Sequence, residues 1–312
     1  MAKSQRVAMT DQERAERRKQ EQELTERAVA QLRCSAGWQR WLKVRARAGL
    51  RRYSVGNQLL VAVQDEHATY VAGFRAWLGL GYCVRRGATS HIRVWAPCPP
   101  SKRKLKAWRD AGASPEDRPR TYFRFEAVFS QEQVEALPPP SEPAPLGPPI
   151  AEVQGSSLAW AREPLEALAA ELGYSVTYCT LPKGRGGSCD PTTNVLTIND
   201  DASVNAQVDV TCHELAHALV RVDRQDDDPQ LDYAAEELVA ESVAHIAVSF
   251  IGLDSSASAV PYLTSWAESA APDTFQRIAE LVDRLARRLE DALGAGTTEP
   301  APATVAQEAV RA

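Results

Sequence analysis

The chain has 312 residues, 44% apolar and 25% charged, with 17 Gly and 20 Pro and a net charge of −5. That composition fits two globular domains and excludes a collagen, a coiled-coil rod and a wholly disordered chain. No apolar run approaches the ~18 residues of a spanning helix. The charged start MAKSQRVAMTDQERAERRKQ lacks the apolar core of a secretory signal, and six scattered Cys form no CxxC pair, so reduced thiols in a cytoplasmic protein are expected.

The net charge conceals a split. Residues 1–137 hold 26 Lys+Arg against 14 Asp+Glu, and residues 138–312 hold 10 against 27. A basic unit followed by an acidic one suggests two domains with different partners, nucleic acid being the first candidate for the basic unit.

The first unit opens with a charged helical segment from about Asp11 to Ala48, with a ragged apolar stripe through Leu24, Leu32, Trp38, Trp41 and Leu42. A short helix should carry Asn57, Leu59 and Leu60, and another Phe74 and Trp77, ending near Gly79 and Gly81. The helical spacing of Trp38, Trp41, Phe74 and Trp77 places them in the core. Alternating segments at Ile92–Trp95 and Tyr122–Phe129 read as paired strands joined by a long loop. In that loop Lys102, Arg103, Lys104, Lys106 and Arg109 surround Trp108. Cations neutralise phosphates and an exposed ring stacks on any base, so this run suits a single strand of nucleic acid.

Residues 137–150 read LPPPSEPAPLGPPI, with seven prolines, and favour extended polyproline geometry over a helix or central strand. The expected organisation is therefore a basic domain over 1–137, a Pro-rich linker over 138–150, a second domain over 151–293 and a disordered tail over 294–312.

The second domain should begin with a helix from about Leu158 to Leu172, capped by Gly173. A strand over Tyr174–Tyr178 follows, then a glycine-rich turn (KGRGGSCDP) and a strand over Val195–Ile198, the expected edge for an extended peptide. The glycines match neither GxGxxG nor GxxxxGK[ST], so no phosphate cradle is expected. A helix from about Ser203 to Arg221 contains His213-Glu214-Leu215-Ala216-His217.

HExxH on a helix sets two imidazoles one turn apart on one face, where both can bind one Zn²⁺, with Glu214 beside the metal to take a proton from bound water. Val208, Cys212, Leu215 and Leu219 form a separate apolar stripe. A zinc hydrolase needs a third ligand and an open fourth position. The next helix, about Tyr233 to Ile251, carries Glu236, Glu237 and Glu241 on an otherwise apolar segment. Glu237 has the spacing of gluzincin ligands. Glu241, one turn on, is the expected carboxylate that orients an imidazole, and is the alternative ligand. Glu236 reads as a solvated acidic helix start, His245 as a buried, satisfied histidine and Cys212 as core.

These motifs together resemble the ArdC-type antirestriction proteins. The resemblance rests on Tyr53-Ser54-x-x-Asn57-x-Leu59-Leu60, Gly73-Phe74-x-x-Trp77, Val84-x-x-Gly87, Ala96-Pro97 and Val128-Phe129 with Gln131. In the second half it rests on the HExxH motif, Glu236-Glu237-Leu238-Val239-Ala240-Glu241 and Tyr262-Leu263-x-x-Trp266. It implies an α+β fold: a small α+β domain that binds single-stranded DNA, then a mostly helical zincin-like metallopeptidase domain with a small sheet. Tyr53 and Asn57 join the basic run as expected DNA contacts. It further implies a cytoplasmic protein of mobile elements that protects incoming DNA, with no membrane partner. Metal is expected at His213, His217 and Glu237, as Zn²⁺ or another divalent ion such as Mn²⁺, with Glu214 catalytic. Single-stranded DNA is the expected nucleic acid, duplex DNA a further one, and a host restriction component a candidate protein substrate. Two other readings stay open: a non-proteolytic protein that binds DNA or the restriction enzyme and keeps the metal for structure, and a protease that cleaves a repressor.

Overall fold

The computed structural model describes residues 10–98, 100–112, 122–139, 142–146, 151–253 and 272–295. The first half runs α1 (Asp11–Ala30), α2 (Ser35–Arg45), α3 (Val55–Gln64), β1 (Val71–Ala72), α4 (Phe74–Gly79), β2 (Tyr82–Val84), β3 (Ile92–Cys98), α5 (Lys102–Asp110), β4 (Tyr122–Ser130) and β5 (Val134–Ala136). Strands order as β1-β4-β3, all antiparallel, with Ile92 opposite Val128 and Cys98 opposite Tyr122; β2 and β5 form a separate ribbon.

Two local expectations change. The long first helix breaks at Cys34, whose backbone is extended at φ −124. Gly37 makes the break possible, because a Cβ there would lie 1.9 Å from the Gln31 carbonyl oxygen. The run expected as a loop between the β3 and β4 strands folds into α5, with the Ser101 hydroxyl accepting from the Lys104 amide at 3.3 Å. Lys, Arg, Leu and Ala all favour helix, and the cap supplies the start that a charge run hides.

The second half runs α6 (Arg162–Glu171), β6 (Ser175–Cys179), β7 (Gly187–Asp190), β8 (Val195–Asn199), α7 (Val204–Val222), α8 (Tyr233–Phe250) and α9 (Pro272–Ala295). Gly173 and Gly252, at φ +82 and +84, end α6 and α8. The sheet orders as β6-β8-β7, with β6 parallel and β7 antiparallel to β8. The Val195 strand is thus central and hydrogen-bonded on both sides. The edge strands are β6 and β7, the latter built from the segment expected as a glycine-rich turn.

The two halves share one apolar core. Trp38, Trp41 and Leu59 belong to the same buried cluster as Leu165, Val243, Phe275 and Leu285. The Trp38 indole N–H donates to Ser242 Oγ on α8 at 3.2 Å, with both side chains buried. Part of the Pro-rich segment is strapped to the first half: the Ala144 amide donates to the Leu80 carbonyl and the Tyr82 hydroxyl to the Ala144 carbonyl, both at 2.9 Å. Gly81, at φ +83, lets Pro143 pass where a Cβ would collide. Tyr262, Leu263, Trp266 and residues 296–312 of the expected tail lie outside the described residues. No described helix is long and apolar enough to cross a membrane.

Candidate metal centre and nucleic-acid surface

Helix α7 starts at Ser203, whose hydroxyl accepts from the Ala206 amide, and buries Val208, Cys212, Leu215 and Leu219 completely. That face anchors the helix and leaves His213 and His217 turned toward α8, whose own start is capped by Asp232. The loop between the two helices, 223–228, is clasped by α9. Arg284 Nη2 donates to both carboxylate oxygens of Asp228, and Arg288 meets Asp223 at 3.1 Å. The charged loop therefore fixes how α7 and α8 face each other.

The imidazole Nε2 atoms of His213 and His217 stand 3.3 Å apart. Glu237 Oε2 lies 3.6 Å from His213 Nε2, and Glu237 Oε1 lies 3.6 Å from His217 Nε2. All three potential ligand atoms lie within 4.8 Å of one another. Two imidazole nitrogens and a carboxylate converging on one point are the donor set of a divalent metal site with an open position. The residues present fit such an ion.

Glu214 is buried beside this point. Burial pushes its carboxyl up to about 7 and Glu237 pushes the same way, against His217, Arg185 and the Cys189 backbone N–H, which favour the ionised form. Burial and the neighbouring His217 depress His213. Gly187 on β7 makes room for the carboxylate: a Cβ there would come within 2.6 Å of Val210 Cγ1 and 3.0 Å of Glu214 Oε1. In the sequence, the Gly186–Gly187 pair was the available signal for this close approach.

The carboxylate that meets the Nδ1 side of an imidazole is Glu236, not Glu241. His217 Nδ1 meets Glu236 Oε1 at 2.9 Å, and Arg221 donates to the same oxygen. Arg221 pairs with Glu236 and His213 with Glu237, so α7 and α8 run antiparallel and position 241 is carried past His213. Among the described residues Glu241 makes no hydrogen bond to either ring, and burial together with Glu237 raises its pKa. The helix-start reading of Glu236 missed this because the crossing of α7 and α8 is not written in either helix alone. Tyr233 is exposed at the head of α8, and the Glu237 carboxylate raises its hydroxyl above the usual tyrosine range. His245 is outside the ligand cluster and Cys212 is core, as expected.

On the first half, Lys102, Arg103, Lys104, Lys106 and Arg109 are all exposed on α5. Trp108 is 41% exposed, and Tyr122 and Phe123, at the start of β4, are 54% and 60% exposed. Lys104 Nζ lies 5.6 Å from the centre of the Tyr122 ring. Lys104 and Tyr122 thus join a cation to an open ring, while Phe123, the next residue of the strand, presents its ring on the other face. Trp38, Trp41 and Trp77 are buried as expected, but Phe74 is exposed. Tyr53 and Asn57 are committed inside the fold. The Asn57 amide clamps the Trp95 backbone through two 2.8 Å hydrogen bonds, and the Tyr53 hydroxyl donates to the Val71 carbonyl. These hydrogen bonds hold α3 onto the sheet and give both residues a structural role.

Residues 18–129 match the family model described as the N-terminal domain of anti-restriction factor ArdC, and residues 169–290 match the M78 peptidase model described as an IrrE N-terminal-like domain. The chain belongs to the ArdC-type antirestriction family. Its α+β organisation, with a metallopeptidase-like second half, follows from that pairing. Similar solved structures include two of the antirestriction ArdC protein from the R388 plasmid. The Mn(II)-bound form is 20% identical over 91% of this chain and 98% of that one, with a TM-score of 0.48. The metal-free form is 19% identical over 77% and 85%, with a TM-score of 0.45. No curated protein matches the chain significantly.

Proposed function

We propose that this ArdC-type chain is a zinc-dependent peptidase that also binds single-stranded DNA, and that it protects incoming DNA by cutting a protein of the host restriction system in the cytoplasm. The observation that carries the reading is the convergence of His213, His217 and Glu237 beside the buried Glu214. Two imidazoles and one carboxylate with an open position form the usual donor set of catalytic zinc. When bound, the ion supplies a Lewis acid for the scissile carbonyl and an acidified water. The Glu214 carboxylate would take a proton from the attacking water and return it to the leaving amine. Glu236 holds His217 in the orientation that presents Nε2. The outer edge of β7 pairs with the peptide backbone in extended form, directly above Glu214. On the other half, Trp108, Tyr122 and Phe123 stack on unpaired bases while the α5 cations meet the phosphates.

The test is a cleavage assay on purified host restriction subunits, with single-stranded DNA present and absent. Zinc-loaded wild type should yield discrete fragments. Chelated protein and Glu214→Gln should yield none while still binding DNA. Equal protection of transferred DNA by Glu214→Gln would instead establish the non-proteolytic reading.

A further inference from the structure

We infer that Arg221 is a positioning residue of the metal centre, acting through Glu236 on His217; the inference rests on the metal-site reading above. Glu236 Oε1 receives His217 Nδ1 and Arg221 Nη2, each at 2.9 Å. His217 and Arg221 are one turn apart on α7, so a single carboxylate from α8 bridges a metal-ligating ring and a cation on one helical face.

Both contacts matter to the ligand atom. An imidazole that offers Nε2 must carry its proton on Nδ1, and a carboxylate at Nδ1 fixes that tautomer and the plane of the ring. Glu236 sits in the first turn of α8, where a glutamate with one partner turns freely about its own side-chain bonds. A second donor converging on the same oxygen removes that freedom. Arg221 also offsets the charge of Glu236, so two facing carboxylates, Glu236 and Glu237, share the space beside His217 without an uncompensated pair.

An ordinary surface role makes a different prediction. The Arg221 side chain is 41% exposed, and ion pairs this open add little to folding stability. Its removal should leave the unfolding midpoint of the metal-free protein where it was. A change in metal binding would then report the relay itself.

The experiment compares full-length wild type, Arg221→Met, Arg221→Lys, Glu236→Ala and the double variant Arg221→Met/Glu236→Ala. Each is titrated with Co²⁺ against a competing chelator, and its visible absorption spectrum is recorded. Arg221→Met should weaken Co²⁺ binding about tenfold and alter the spectrum, in the range of losses behind a metal-bound His. Arg221→Lys should recover most of the affinity. The double variant should bind no more weakly than Glu236→Ala alone, because Arg221 acts only through that carboxylate. Affinity within twofold of wild type in Arg221→Met, or fully additive losses in the double variant, would overturn the inference. Failure of wild type to take up stoichiometric Co²⁺ would overturn the metal-site reading beneath it, a result visible before any variant is compared.

Discussion

Arg45 and Glu290, 245 positions apart in the chain, form a bidentate ion pair at 2.8 and 2.9 Å, with the arginine side chain fully buried and the glutamate 2% exposed. Arg45 Nε also contacts Asp283, which receives Gln58 at 3.1 Å, and Arg51 reaches Glu290 at 2.7 Å. The cluster ties α2 and α3 of the basic half to α9 of the acidic half.

Removing Glu290 leaves the buried Arg45 guanidinium with Asp283 as its remaining carboxylate and with both Nη groups stripped of their acceptors. Glu290→Ala should therefore lose about 3–5 kcal/mol of stability, read from its urea midpoint. A loss below about 1 kcal/mol would mean that the arginine finds water or another partner.

The shared core also bears on the Pro-rich segment. Cleavage at a protease site introduced at Gly147 should leave both pieces together on gel filtration in native buffer, separating only in denaturant. Separate elution after nicking would show that the Trp38–Ser242 and Arg45–Glu290 contacts do not hold the halves.

Glu214 has a folded-state pKa of about 7 against an ordinary 4.5. Between those values the folded protein binds the extra proton, so stability falls as pH rises from about 4.5 through 7. Glu214→Gln removes that penalty. In the metal-free protein it should gain on the order of 3 kcal/mol at pH 8, with the gain largely gone by pH 5. Thermal melts at both pH values check this, and equal midpoints at pH 8 would place the carboxylate in water.

The open rings and the α5 cations should separate in a salt titration with an oligonucleotide. Tyr122→Ala and Phe123→Ala should each weaken binding roughly 5- to 100-fold with the salt slope retained. Each lost Lys104 or Lys106 contact should lower that slope by about 0.7. Asn57→Ala should instead lower stability, because it frees the Trp95 backbone.

Glu241→Ala should keep metal affinity within twofold of wild type, measured by chelator competition. A tenfold loss would return the orienting role to that residue.

The pairing of His213 with His217 was legible because i, i+4 geometry travels with the sequence, whereas Glu237, on another helix, was reached only through its spacing from them. The glutamate behind His217 was not, because its role depends on where two separate helices cross. Glu236 and Glu241 look alike on α8 and are told apart only by the position of α7. The basic run was legible as charge and missed as a helix, since its start depends on one serine. Strand β7 was hidden by its glycines, which read as a turn but serve to admit Val210 and Glu214. Asn57 matched a motif, yet nothing in that motif says that the Trp95 backbone consumes both ends of its amide.

The indole of Trp38 against Ser242 has a consequence for building chimeras. Exchanging the second half between relatives at the proline stretch would import α8 without the α2 surface it packs on, and the transplanted metal site would sit on a mismatched floor. A graft that carries residues 28–64, 92–98 and 122–130 along with residues 151–295 keeps both sides of that contact and the Asn57–Trp95 clamp, and leaves α5 as the exchangeable part. In that sense the piece that can be swapped is the cationic helix α5 alone, inserted into a scaffold whose ends belong to each other.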